Sequence, residues 1–193
     1  MRLLLLAPPG AGKGTQGERL AARYGVRHIA AGDLLRAQAQ AGGALGEEIA
    51  AYQSRGDLVP DQVVLDVLTP AVVEAAAHGG YILDGFPRNL SQAHAAADLA
   101  ARLGVTLQAA VYLHAPGDVL TRRLLERASE GGRTDDTAGV IRHRLALYAE
   151  TTGPLVPYYT ERGILVAVNA DQSPDAVTAD IEAKLSKLPL PHP

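Results

Sequence analysis

A parallel sheet with helices on both faces, an α/β fold of three layers, is the architecture that two features of this 193-residue chain predict. Short apolar runs alternate with helical patterns, and a glycine-rich loop follows the first run and precedes an amphipathic stretch. Residues 2–6, almost all leucine and bounded by Pro8 and Pro9, read as a buried strand. A helical pattern over 13–24 stops at Gly25, and 27–29 read as the next strand, so these elements form a right-handed strand–helix–strand unit. Residues 30–59 are helical, rich in Ala and Gln and broken by Gly42, Gly43 and Gly56, as in a small helical insert whose helix over 34–41 is capped by Asp33. Further strands are expected at 81–83, 108–113 and 164–168, giving a five-stranded sheet. Ala128-Ser129-Glu130-Gly131-Gly132, between two arginine-rich helical segments, reads as a mobile loop, and residues 189–193 as a frayed tail. No repeat of fixed period and no linker divides the chain, so one core is expected.

Composition narrows the function. A net charge of −3 argues against a general nucleic-acid binder, so local basic clusters must serve a particular anion. With no cysteine, a disulfide framework, a thiolate zinc site and thiol catalysis are all excluded, which fits a cytoplasmic protein. Met1, Arg2 and the leucines superficially resemble an export signal, but the apolar run is short and leads straight into the glycine-rich loop. Nowhere do 18 apolar residues run unbroken, so no membrane span is expected.

The loop Gly10-Ala11-Gly12-Lys13-Gly14-Thr15 brings backbone N–H groups toward a helix N-terminus, a place built for a polyphosphate and hence for a nucleotide. Lys13 is one of only three lysines against fifteen arginines, a compact ammonium spent where β- and γ-phosphates would lie. A second signal is the apolar strand that ends in Asp84. At the carboxyl edge of a parallel sheet such an acid can hold Mg²⁺ through its water shell beside the phosphates. Gly85, Phe86, Pro87 and Arg88 follow it, Phe86 being the only Phe in the chain.

Four motifs, Gly10-Ala11-Gly12-Lys13-Gly14-Thr15, Gly32-Asp33-Leu34-Leu35-Arg36, Asp84-Gly85-Phe86-Pro87-Arg88 and Arg133-Thr134-Asp135-Asp136, resemble in order and spacing the signatures of nucleoside monophosphate kinases, adenylate kinases above all. The likeness implies a P-loop NTPase fold with core 1–29, 60–125 and 138–193, an NMP-binding insert over 30–59 and a short, zinc-free lid over 126–137. It also implies Mg²⁺-dependent phosphoryl transfer from ATP to AMP by a monomer acting on small nucleotides, with no nucleic-acid or membrane partner. Gly10 to Thr15 would hold the donor phosphates and Lys13 would bridge donor and transferred groups. Arg127 and Gln172 would lie at the donor base, and Arg36 and Arg88 would clamp the acceptor phosphate. Arg123, Arg133 and Arg144 would surround the phosphates, while Gln92 and the backbone of Asp57, Leu58 and Val59 would meet the acceptor base, with Ala31, Gly85, Phe86 and Pro87 around it.

Phosphoryl transfer needs this layout, because it is catalysed mainly by positioning and by cations that stabilise charge spread over the equatorial oxygens. The acceptor oxygen is already anionic, so no general base is required, and His28, His78, His94, His114 and His143 read as bystanders. Asp135 and Asp136 read as caps of the next helix or as lid contacts. Ala7 replaces the glycine that usually opens the loop, which is tolerable only if its φ is negative. Ala31 stands where a Thr normally bonds the AMP base. Ala31 and Asn89 point toward a UMP/CMP kinase and Gln92 toward adenine. AMP is the expected acceptor and UMP/CMP the alternative. From another class, a P-loop switch remains, but it has no need of a second phosphate pocket.

Overall fold

The computed structural model describes residues 1–55, 59–129 and 137–188. Its strands are β1 (Arg2–Leu6), β2 (Arg27–Ala30), β3 (Tyr81–Asp84), β4 (Ala109–His114) and β5 (Leu165–Asn169), all parallel, in the order β2-β3-β1-β4-β5. The expected strands agree with these to within one residue. The first strand–helix–strand unit skips a position, because β3 lies between β1 and β2. Strand order therefore reverses beside β1, and ligand crevices in open α/β sheets form at the carboxyl ends of strands flanking such a reversal.

Alternation along β1 sorts the core into two layers. Leu3 and Leu5 face α1 (Lys13–Tyr24), and Leu4 and Leu6 face the opposite side, packed by α2 (Ala31–Ala41), α3 (Gly43–Arg55), α4 (Asp61–Ala77) and α5 (Leu90–Leu103). Downstream come α6 (Gly117–Ser129), α7 (Ala138–Thr151), α8 (Leu155–Glu161) and α9 (Pro174–Leu185). Leu120 of α6 and Val177 and Ile181 of α9 join the first layer; Leu155 and Tyr158 of α8 join the second. Among the described residues no helix is long and apolar enough to cross a membrane.

Leu4 is fully buried in the central strand. Leu4→Ala is expected to cost about 3 kcal/mol of unfolding free energy, roughly 6–12 °C in Tm for a chain of this size, measured by thermal and denaturant melts. A loss below about 1 kcal/mol would mean that this face is not close-packed.

Two local expectations are corrected. Asp33 does not cap α2, because β2 runs into the helix without a loop: the helix starts at Ala31 with Ala30 in the cap position. Asp33 instead sits in the first turn, where an acid suits the helix dipole, and pairs with Arg36 one turn on. Ala128 and Ser129 belong to α6 rather than to a loop, and Ser129 Oγ donates to Glu126 O at 2.7 Å. The rest of that loop, Asp57, Leu58, Arg133, Asp135, Asp136 and the tail 189–193 lie outside the described residues.

Candidate active site

The loop between β1 and α1 is shaped by two left-handed glycines. Gly12, at φ +84°, is the N-cap residue of α1; it makes no side-chain capping bond, and no acid occupies the first turn. The positive end of the helix dipole and the first N–H groups are thus left for an anion. Gly10, at φ +87°, is required twice over, since a Cβ there would also press on Leu120 O at 2.8 Å. Through that contact α6 packs directly on the loop. No residue other than glycine has positive φ among the described residues, so Ala7 adds a buried methyl without strain.

Lys13 opens α1 and reaches the end of β3, where its Nζ lies 2.7 Å from Asp84 Oδ1. The other carboxylate oxygen faces His28 Nε2 at 3.6 Å. Parallel register sets Ala30 opposite Asp84 and His28 opposite Ile82, so His28 is a diagonal neighbour of Asp84 on the face covered by α1. Gly17 of α1 makes room for the ring, which any Cβ at that position would overlap. Burial pushes the Asp84 carboxyl up, but the His28 ring and the Lys13 ammonium outweigh it and hold the group below the usual carboxylate range. At neutral pH Asp84 is an anion held beside a cation at the sheet edge. His28, read as a bystander in the sequence, belongs to this cluster.

A cavity of about 330 Å³ opens beside the segment Gly85–Arg88 that follows Asp84, between it and α2, α3 and the start of α4. Leu35, Val59, Val64 and Phe86 make its apolar walls; Ala31, Gly32 and Gly85 also line it. Two cations enter it, with the Arg36 guanidinium near Gly32 and that of Arg88 near Gly85. Arg88 is pinned: its N–H donates to Gln92 Oε1 at 2.7 Å, its Nε–H to Gly85 O at 2.8 Å, and its carbonyl accepts from Thr152 Oγ1 at 2.9 Å. Gln92 is buried and also donates through Nε2 to Asp61 Oδ1 at 2.6 Å. Gln53 of α3 lines the same cavity and was not singled out in the sequence. Asn89 does not line it; its side chain caps α5 by accepting from the Gln92 N–H at 2.8 Å.

The remaining candidates fall elsewhere. Pro87 lines a separate apolar cavity of about 180 Å³ between α4 and α5, with Phe86 as the wall common to both. Arg123 of α6 donates to Ala170 O at 2.9 Å and to Gln172 O at 3.4 Å, so the backbone of Gln172, the residue expected at the donor base, is engaged by an arginine of the same set. Gln172 is exposed and its amide donates to Asn169 O at 2.8 Å. Arg127 is exposed on α6 and Arg144 half-buried on α7, and neither lines the acceptor-side cavity.

Known proteins resemble this chain over nearly its whole length. The family model described as adenylate kinase matches residues 5–164. An adenylate kinase of Synechococcus sp. (strain WH7803) is 46% identical over 186 residues, covering 96% of this chain and 98% of its own length. One from Stenotrophomonas maltophilia (strain R551-3) is 42% identical over 185 residues, covering 96% and 99%, and one from Thermobifida fusca (strain YX) is 44% identical over 170 residues, covering 88% and 90%. The chain belongs to the adenylate kinase family.

Proposed function

We propose that this chain catalyses the reversible, Mg²⁺-dependent transfer of the γ-phosphoryl group of ATP to AMP, giving two molecules of ADP. The observation that carries this reading is the pair of anion positions at one sheet edge: the loop with Lys13 beside Asp84, and the cavity with Arg36 and Arg88 beside the segment that follows it. A P-loop switch needs only the first. The N–H groups of Gly10 to Thr15 hold the donor phosphates, and Lys13 turns from Asp84 to the transferred group. Arg36 and Arg88 orient the acceptor phosphate for in-line attack. Gln92 and Val59 meet the acceptor base, and the family resemblance assigns the backbone of Asp57 and Leu58, which lie outside the described residues, to the same base. Arg127 and Gln172 serve the donor base, Arg123, Arg133 and Arg144 surround the phosphates with Arg133 and Arg144 reaching AMP, and residues 126–137 form the lid, while residues 30–59 act as the acceptor-binding insert on the core formed by 1–29, 60–125 and 138–193.

The residues fit Mg²⁺. Asp84 offers one ionised carboxylate, and among the described residues no group of three or more His, Asp or Glu side chains gathers for a metal. Mg²⁺ sheds water reluctantly and is often held by one or two carboxylates plus substrate phosphates. Bound there, it neutralises charge on the phosphates while Lys13 and the arginines position them. We place the protein in the cytoplasm as a monomer serving nucleotide biosynthesis. AMP is favoured over UMP or CMP because Asn89, the pyrimidine signal, is occupied as a helix cap.

Steady-state phosphorylation of AMP, UMP, CMP and GMP with MgATP tests the reading. AMP is expected to lead the others by at least about tenfold in kcat/KM, the discrimination of a site built to hydrogen-bond one base. A preference for UMP or CMP would overturn the acceptor assignment.

A further inference from the structure

Ala31 brings no hydrogen-bonding side chain to the acceptor cavity, so some other group must read the edge of the base. The guanidinium groups of Arg36 and Arg88 only donate, and both are matched to phosphate. A carboxamide both donates and accepts, as the edge of a base does, and two side chains that line the cavity carry one, Gln92 and Gln53. Gln92 already accepts from the Arg88 N–H and donates to Asp61, so each end of its amide has half its capacity committed to holding α5 against the cavity. Gln53 is half-buried on α3 and lines the cavity, and its side chain makes no hydrogen bond to a described residue, so the donor and acceptor capacity of its amide is uncommitted.

We propose that Gln53 is a specificity-determining residue of this chain, its carboxamide pairing with the adenine edge of the acceptor and taking over the reading that Ala31 cannot perform. A glutamine amide complements adenine because the exocyclic amine donates while the neighbouring ring nitrogen accepts, the match that also makes Gln a reader of adenine in nucleic acids. The proposal rests on the cavity being the AMP pocket, and the test separates the two ideas.

The test compares AMP with purine riboside 5′-monophosphate, which lacks the exocyclic amine, in the wild type and in Gln53→Met, an apolar side chain of similar length. Gln53→Met is expected to lower kcat/KM for AMP about fivefold to tenfold, chiefly through KM, as the loss of one or two net hydrogen bonds implies. It should change kcat/KM for the analogue and KM for ATP by less than about twofold, so the discrimination between AMP and the analogue shrinks by about the factor lost for AMP. A structural role for Gln53 would instead depress both acceptors together. An equal loss for both, or no loss for AMP, overturns the assignment of Gln53 while leaving the AMP pocket in place. Wild-type preference for a pyrimidine monophosphate overturns the pocket reading itself, and the proposal with it, before any variant is made.

Discussion

Lys13→Met is expected to lower kcat by at least about a hundredfold while the chain stays folded, the magnitude set by losing one preorganised cationic partner of the transition state. Methionine matches the length and apolar stem of lysine, so what disappears is the charge. Its loss has two separable effects. Asp84, its side chain 12% exposed, is left without the ammonium that lies 2.7 Å away. Because water still reaches both partners, the stability cost should fall below that of a fully buried pair, at about 1–3 kcal/mol and a Tm lower by several degrees. The other effect is catalytic and does not depend on Asp84. Adding Asp84→Asn to Lys13→Met should therefore return most of the lost Tm, since it removes the unpaired charge, and return none of the kcat. Retention of more than about a tenth of wild-type kcat in a folded Lys13→Met protein would end the role assigned to Lys13.

That double variant depends on a contact which the sequence carried only in pieces. β1 and α1 were legible to the residue, because a leucine run, a glycine loop and Gly25 each act through local backbone chemistry. The placement of Lys13 at the loop, and of Arg36 and Arg88 at one cavity, was legible as well, since their motifs are contiguous in the chain. His28 was not. It sits in a four-residue strand with no pattern of its own, and its approach to Asp84 arises from the β2–β3 register together with the space left by Gly17. Gln53 was hidden for the same reason, being placed by the packing of α3 on α2 rather than by any neighbour in sequence. The spacing of Ala31 with Gln53, twenty-two residues apart in a segment read as helical, offers no periodic cue that they share a cavity. Asp33 misled because a helix that starts directly from a strand has no separate cap residue to detect. Local chemistry was readable in the sequence; pairings made by register and packing were not.

Arg88→Lys is expected to be nearly as damaging as Arg88→Ala, each lowering kcat/KM for AMP about a hundredfold or more and leaving KM for ATP within a fewfold. Hydrogen bonds to a charged partner contribute about 1.5–3 kcal/mol each, and a bidentate clamp makes two of them. The structure shows why a lysine cannot take over. Arg88 is held at its backbone by Gln92 and Thr152 and at Nε by Gly85 O at 2.8 Å, which fixes the guanidinium plane at the cavity wall. A lysine ends in a rotating ammonium and has no Nε to make that tether, so even with its charge intact it loses the orientation. Arg36 should respond more mildly. Its side chain is 53% exposed and pairs with Asp33, so solvent screens its charge and part of its interaction is already spent within α2. Steady-state kinetics of the three variants, with AMP varied at saturating MgATP, therefore carry an internal ranking. Arg88→Ala and Arg88→Lys should fall together at the bottom, and Arg36→Lys should retain more activity than either. Recovery of most activity by Arg88→Lys would make Arg88 an ordinary positive charge, and the acceptor phosphate would then have to be placed elsewhere on the sheet edge.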